Sequence, residues 1–309
     1  MSAVGTPFIS VVVPVFNGEV TIEACLESLL TQTYLRDRYE IIVVDNDSTD
    51  GTVDVIKRYP VRYVLEREVQ SSYAARNRGI REATGDIIAF TDADCVASRD
   101  WLRQAVDAFA HERIGGVAGA IRSCEPQTLA QRYAVEKGAL SQETALRANS
   151  FLPAVYTANA FYRKTVLEQA GLFDPLVKSG GDADLAWRVQ ERLGQSIAFC
   201  PEAIVYHRHR ERIWDLLRQR KNYGYGSVVN YVKHRDQMGS RTLKHAYWEV
   251  CALSRTMGTL LGTVLRRVVG RRPKGRDDDL AVNSLDLLVF FAKKIGQLQA
   301  AVKYRIWYF

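Results

Sequence analysis

Apolar and polar positions along the first two hundred residues alternate between two rhythms. Ile9–Val15 (ISVVVPV) is an unbroken, mostly β-branched run, the pattern of a strand buried on both faces. After a turn at Asn17-Gly18, the apolar residues Ile22, Leu26, Leu29 and Leu30 predict an amphipathic helix over 21–32. Tyr39–Val44 (YEIIVV) predicts a second buried strand, ending in the polar run Asp45–Thr52. The pattern continues with a helix over 53–58, a strand over 61–65, a helix over 71–83 and a strand over 86–91. Further strands are predicted at 115–122, 155–163 and 196–200, with a helix over 182–193. Strands alternating with helices in this way imply an α/β fold, a Rossmann-like, mostly parallel sheet with flanking helices. Ligands of such sheets sit beyond the carboxyl ends of the strands. Residues 14–17, 45–50 and 92–94 are therefore expected to meet at one edge.

From about Ile213 the pattern changes. Leu253, Met257, Leu260, Leu261, Val264, Leu265 and Val268 recur at helical spacing, bordered by Arg255, Arg266 and Arg267. A charged linker over 271–279 follows, then a second stripe of Leu288, Phe291, Ile295, Leu298, Val302 and Ile306, and an aromatic end at Trp307-Tyr308-Phe309. The expected organisation is a catalytic domain over 1–210 and a basic amphipathic helical extension over 211–309.

Charge sharpens that division. The total is +7, yet between Ile204 and Arg276 there are 17 Lys+Arg against 4 Asp+Glu, so the rest of the chain carries −6. Basic amphipathic helices with terminal aromatics suit an anionic membrane surface; the alternative is packing on the domain or on a second copy in a homo-oligomer. No run is long and apolar enough to span a bilayer. The N-terminal MSAVGTPFIS lacks a basic segment and does not read as a signal peptide. Five scattered cysteines without a C-x-x-C pair read as buried free thiols in a reducing cytosol. The expected location is cytoplasmic, peripheral on the inner face of the membrane.

The candidate chemistry begins with Asp92-Ala93-Asp94 at the end of a strand. Two carboxylates one residue apart can turn to the same side and share a divalent metal and a ribose. Mg²⁺ and Mn²⁺ prefer oxygen ligands and neutralise phosphate charge. A lone D-x-D is weak, since helix capping explains many; its place beside a second acidic turn raises its value. That turn, D-N-D-S-T-D-G-T, also suits Asx-turns and N-caps, with Asp50 or Thr52 starting the next helix. Asp45 at the strand end is placed to accept a hydrogen bond from a nucleobase.

P-V-F-N (14–17), V-D-N-D-S-T-D-G-T (44–52), A-A-R-N-R-G-I (74–80), G-D-I-I-A-F-T-D-A-D (85–94) and G-D-A-D-L-A-W-R (181–188) together resemble the ordered signatures of inverting family 2 glycosyltransferases of the GT-A fold. The resemblance covers roughly residues 8–210. It implies transfer of a sugar from a nucleoside diphosphate sugar, by default a UDP-sugar, to an acceptor hydroxyl, with Mn²⁺ or Mg²⁺ as cofactor. It implies that Pro14, Val15 and Asn17 line the base pocket, that Asp45 binds the base, and that Arg76 and Asn77 contact the nucleotide. Asp92 would bind ribose or metal, and Asp94 the metal bridging the diphosphate. Asp182 would be the general base, with Asp184 its rival; either aspartate could instead cap the helix through Arg188. The family usually places Glu before that aspartate, where this chain has Gly181. Thr157 and Asn159 fall in a segment the resemblance places near the acceptor. His207 in Y-H-R-H-R is a further metal candidate and would favour Mn²⁺; His209, two positions on, shares a strand face with it. Trp101 and Trp187 read as packing residues.

Two rivals follow from the same features. A sugar nucleotidyltransferase would share the sheet and acidic ligands but lacks here the glycine-rich loop after the first strand. A nucleic-acid-binding module would use the basic rear with Tyr223, Tyr225, Tyr231 and Tyr247 for stacking, but no nucleic-acid motif accompanies them, so nucleic acid is not expected as a partner. Saccharide or lipid-linked acceptors at a membrane are the partners expected.

Overall fold

A computed structural model describes residues 6–147, 151–239, 241, 243–268 and 280–308. The linker expected at 271–279 lies outside them. The first strand, β1 (Ile9–Val15), is buried along its whole length. It pairs in parallel with β2 (Tyr39–Asp45) on one side and β4 (Ile87–Thr91) on the other. The outer parallel partner is β3 (Arg62–Leu65). Helix α1 (Ile22–Leu30) joins β1 to β2, α2 (Thr52–Ile56) leads to β3, and α3 (Ser72–Glu82) leads to β4. Ile9, Val11 and Val13 join a core containing Ile22, Leu26 and Leu29 of α1. Val12 points the other way, where it meets the α3 backbone at Gly79. Both faces of the sheet are therefore covered, which is why the strands read as continuous apolar runs.

The remaining strands depart from the simple repeat. After β4 come β5 (Cys95–Ala97), helix α4 (Trp101–Asp107) and β6 (Ile114–Ser123). Helices α5 (Leu129–Glu136) and α6 (Gln142–Arg147) precede β7 (Asn159–Arg163), which runs antiparallel to both β4 and β6. Helices α7 (Lys164–Ala170) and α8 (Gly181–Leu193) then lead to β8 (Ser196–His207). The eight strands lie in the order β3-β2-β1-β4-β7-β6-β8-β5. The last strand corrects the expectation of an end at Cys200. Its pairing with β6 jumps from Gly119↔Cys200 to Ala120↔Ile204, so residues 201–203 bulge out and the ladder resumes to Ser123↔His207. Pro201, without a donor, sits in that bulge.

Asn159 ties this half together. Fully buried at the start of β7, it accepts from the Trp101 indole (2.8 Å) and donates to the carbonyls of Ala120 and Ala203 (2.8 Å each).

The described chain forms two compact units, Met1–Cys124 with Leu140–Arg208, and Glu125–Ala139 with His209–Phe309. A linear division at 210/211 differs from this, because α5 belongs to the second unit. There Ala130 and Tyr133 pack with Leu216, Val282 and Leu285. That unit contains α9 (Ile213–Met238), α10 (Leu243–Val268) and α11 (Leu280–Tyr304). α9 and α11 approach backbone to backbone. A Cβ built on Gly224 would overlap the Lys293 carbonyl, and one on Gly296 the Lys221 carbonyl.

The Gly296→Ala variant is expected to lose about 1–3 kcal/mol to overpacking, read as a lower urea midpoint by circular dichroism. Gly258→Ala on α10, whose added methyl meets nothing within 4 Å, is expected to be neutral or to gain up to about 1 kcal/mol.

Candidate active site

The carboxyl ends of β1, β2 and β4 deliver the three expected segments to one edge. Asp45 stands opposite Val15 in the ladder, and the Asn46 amide donates to the Val15 carbonyl at 2.8 Å. Pairing between β1 and β4 stops at Val12↔Phe90, so Pro14 and Val15 lie beyond the point where those strands part. Both are buried, whereas the next residue, Phe16, is 48% exposed.

The polar loop after β2 clasps the loop after β1. The Asn17 amide donates to Ser48 Oγ (2.9 Å), and Asn17 Oδ1 accepts from the Thr49 amide (2.8 Å). Gly18 N donates to Thr52 Oγ1 (2.8 Å), Glu19 N donates to Asp50 Oδ2 (3.2 Å), and Gly51 N donates to Glu19 Oε2 (3.1 Å). Asn17 adopts φ 50°, a left-handed conformation that asparagine tolerates better than most side chains. Burial opposes ionisation of Asp50, but hydrogen bonds from Thr52 and Glu19 prevail and hold its carboxyl below the usual range. Asp50 is not the cap of α2, whose N-cap is Gly51; it accepts from the Thr52 amide (3.1 Å), and this local turn accounts for Asp50 and not for Asp45. That carboxylate is buried at the strand end, accepting from Ser48 N (3.1 Å) and from the Tyr63 hydroxyl (3.3 Å). Burial, followed by the charge of Asp45, pushes the Tyr63 phenol up.

The D-x-D follows β4. Asp92 forms an ion pair with Arg76 of α3 at 2.5 Å, and the arginine is almost fully buried. Asp94 lies 3.4 Å from His207 Nε2. The short strand β5 accounts for that meeting, because it places Cys95 opposite His207 in an antiparallel ladder. The Arg208 amide also donates to the Asp94 carbonyl at 2.9 Å. Ligand atoms of Asp94, Cys95 and His207 lie within 4.8 Å of one another. A carboxylate and an imidazole suit Mn²⁺ among other divalent ions, so the residues fit a metal. Burial, reinforced by Asp94 and Asp92, pushes the Cys95 thiol well up, keeping it protonated beside the two harder donors. Pattern alone marks Cys95 only as a buried thiol; its one signal is adjacency to the D-x-D. His209 lies beyond the end of β8 at His207, where the period-two relation stops. Its carbonyl accepts from Gln131 Nε2 within the second unit.

Asp182 and Asp184 occupy the first turn of α8, and their side chains differ in role. Asp184 is buried in an ion pair with Arg188 at 2.9 Å, and Arg188 also donates to the carbonyls of Ala170 and Leu172. That arrangement fastens α8 to the end of α7. Asp182 instead accepts from the Tyr73 hydroxyl (3.3 Å) and the Ala183 amide (3.2 Å). Burial raises its carboxyl above the ordinary range, opposed by Arg76 and by these hydrogen bonds. Neither aspartate caps the helix; the N-cap is Gly180, with φ 84°.

Two expected contacts are engaged elsewhere. Asn77 donates to the Phe173 carbonyl (2.8 Å) and accepts from its amide (3.0 Å), so its side-chain amide holds the loop that follows α7. Asn159 has its side chain in the three interior hydrogen bonds described above. Thr157 is buried in the turn before β7. Trp101 is fully buried against Phe161, and the Trp187 indole donates to the Leu152 carbonyl.

Comparison with known proteins agrees with this geometry. The model described as Glycosyl transferase family 2 matches residues 10–171. The glycosyltransferase AglE of Haloferax volcanii is 32% identical over 249 residues, 78% of this chain and 80% of that protein. The pre-mycofactocin glycosyltransferase of Mycobacterium tuberculosis is 26% identical over 85% of this chain, which spans only 57% of that relative. Among solved structures, the mannosyltransferase PcManGT from Pyrobaculum calidifontis, in complex with GDP-Man and Mn²⁺, matches with a TM-score of 0.66 at 23% identity, covering 96% of this chain and 88% of that one. That likeness speaks for the fold alone. The sheet with its acidic strand ends, the family model and the archaeal relative agree, and the chain belongs to glycosyl transferase family 2.

Proposed function

We propose that this chain transfers a sugar, with inversion, from a nucleoside diphosphate sugar to an acceptor hydroxyl on a membrane-associated saccharide or lipid-linked acceptor. The observation that carries the reading is a run of contacts from the D-x-D to the first turn of α8: Asp92 pairs with Arg76, the Arg76 guanidinium lies 5.7 Å from the centroid of the Tyr73 ring, and the Tyr73 hydroxyl donates to Asp182. It sets a carboxylate suited to acceptor activation beside the carboxylates suited to a nucleotide and its metal. Asp45 and the exposed Phe16 serve the base, with Pro14, Val15 and Asn17 shaping its pocket. A UDP-sugar is the donor proposed, and a GDP-sugar is the outcome that would replace it. Asp94 and His207 would hold Mn²⁺ or Mg²⁺, which when bound neutralises charge on the departing diphosphate. Arg76, whose Nε has no hydrogen-bond partner among the described residues, adds positive charge on the donor side. Asp182 takes the proton of the acceptor hydroxyl, which attacks the anomeric carbon from the face opposite the leaving group.

The membrane part of the proposal rests on the second unit. The face of α11 that packs inward carries Val282, Leu285, Ala292 and Ala300. Another row, Leu288, Phe291, Ile295, Leu298 and Val302, is about half to 70% exposed, with Leu298 at 67% and Val302 at 70%. Helix α10 exposes Trp248, Met257, Leu261 and Leu265. Among the described residues no helix is long and apolar enough to cross a membrane. The α10 row lies within Ile204–Arg276, which carries 17 basic against 4 acidic residues, and exposed apolar residues with that charge match adsorption to an anionic surface, so we place the protein peripherally at the inner face of the cytoplasmic membrane. Tyr308 instead packs on Tyr231 (5.5 Å) beneath Arg241. That leaves Tyr231 engaged inside the protein, which disfavours a base-stacking role for it.

Four outcomes test the proposal. Asp94→Asn and His207→Ala are each expected to weaken Mn²⁺ binding in a paramagnetic resonance titration by more than about tenfold, a loss seen even for outer-shell partners of a metal; unchanged binding in both would remove the metal site. Asp182→Asn is expected to cut transfer by about 10²–10⁴-fold while nucleotide binding persists. Because burial holds Asp182 protonated further up the pH scale, the acid limb of wild-type kcat/KM is expected above the ordinary carboxylate range. Finally, the chain is expected to sediment with phosphatidylglycerol vesicles, and an Ile295→Glu, Leu298→Glu double variant is expected not to. A wild-type dimer in solution that the same double variant dissociates would assign the row to a second copy instead.

A further inference from the structure

The ring of Tyr73 fills the space beside Gly181. A Cβ at residue 181 would lie 2.9 Å from both Cε2 and Cζ of that ring. The hydroxyl at its tip accepts from the Gly181 amide (3.0 Å) and donates to Asp182 Oδ1 (3.3 Å). The tyrosine is buried and braced on several sides. Phe173 stacks on it with centroids 5.5 Å apart and planes at 22°, and the Arg76 guanidinium lies 5.7 Å from the ring centroid. Phe173 is itself held by the Asn77 amide and packs edge-on against Phe90 of β4 at 5.6 Å. Burial, and secondly the charge of Asp182, push the Tyr73 phenol well up, so it stays a proton donor in its hydrogen bond across the working pH range.

We propose that Tyr73 is a positioning residue for Asp182, and that it can act so only because residue 181 is glycine. This rests on the reading of Asp182 as the general base. The phenol fixes Oδ1, which also takes the Ala183 amide, so the acceptor proton is received at Oδ2. Arg76, paired to Asp92 and lying against the same ring, makes the base's position depend on the nucleotide side of the site. A free carboxylate at the start of a helix has two χ angles to settle. Here one oxygen is already committed, and the other is aimed. That shortens the search for an in-line approach of the acceptor hydroxyl, in the way preorganised groups raise kcat rather than lower KM.

The test compares pH profiles of transfer by the full chain, wild type against Tyr73→Phe, Gly181→Ala and Asp182→Asn. Nucleoside diphosphate affinity and melting temperature are followed in parallel. Tyr73→Phe removes a hydrogen bond to the ionised form of Asp182, so the acid limb is expected to move to higher pH by about half to one unit. At neutral pH kcat is expected to fall by roughly three- to tenfold, with donor KM unchanged. Gly181→Ala presses on the ring from the other side and is expected to move the limb in the same direction. It also decides the matter should Tyr73→Phe fold poorly. If Asp182→Asn keeps wild-type transfer, the base assignment falls and this proposal falls with it. If Asp182→Asn is inactive while both other variants keep the wild-type limb and kcat, the positioning role alone is overturned.

Discussion

The shared register of β1 with β2 and β4 is the constraint on which the site depends. A parallel sheet must end its neighbouring strands at the same edge, and β1 is hydrogen-bonded to both partners. Fixing Ile9 opposite Tyr39 and Ile87 therefore fixes where Asp45 and Asp92 emerge. A one-residue slip would turn Val11 and Val13 out of the core face, and burial of that face makes the slip costly. The carboxylates are thus held in place by apolar side chains several residues behind them.

Collecting acidic groups at one edge creates repulsion, and Arg76 is the residue that offsets it. Its guanidinium pairs with Asp92 and counters the desolvation of Asp182. A buried arginine with two carboxylates in range is a charge arrangement that tolerates no missing partner, since an unpaired buried charge is far more costly than the pair. The site's electrostatics and the seating of α3 against the sheet are consequently one problem rather than two. The clasp between the loops at 17–19 and 48–52 acts similarly, committing polar side chains to backbone amides so that both loops keep their shape.

Much of this arrangement is legible in the linear sequence. Strands β1, β2 and β4 announce themselves because burial on both faces leaves continuous apolar runs, and the acidic turns stand where those runs stop. The family resemblance points to Asp94, His207 and Asp182. The features that leave no such trace depend on pairing partners distant in sequence. β5 is three residues long, too short for any periodicity, yet it brings His207 to Asp94. The second half of β8 is hidden behind a bulge containing Pro201 and Glu202. The antiparallel direction of β7 leaves no mark in local pattern. Asn159 and Asn77 look like ligand-binding amides in a linear motif; only the fold shows their donors and acceptors taken by Trp101, Ala120, Ala203 and Phe173. Tyr73 reads as an ordinary helix-start aromatic until α8 is brought beside it.

The glycine seam between α9 and α11 has a consequence for how the second unit can change. Contact at Gly224 and Gly296 is made by main-chain atoms, so the crossing is specified by the absence of side chains at two positions. The residues on the outward rows are about half or more exposed, and the main-chain contact at the two glycines is made without their side chains. They are at liberty to diverge under whatever surface chemistry selects them, while the two helices keep the same mutual placement. A helix pair built this way can exchange its outward side chains while the main-chain contact at the two glycines stays as it is.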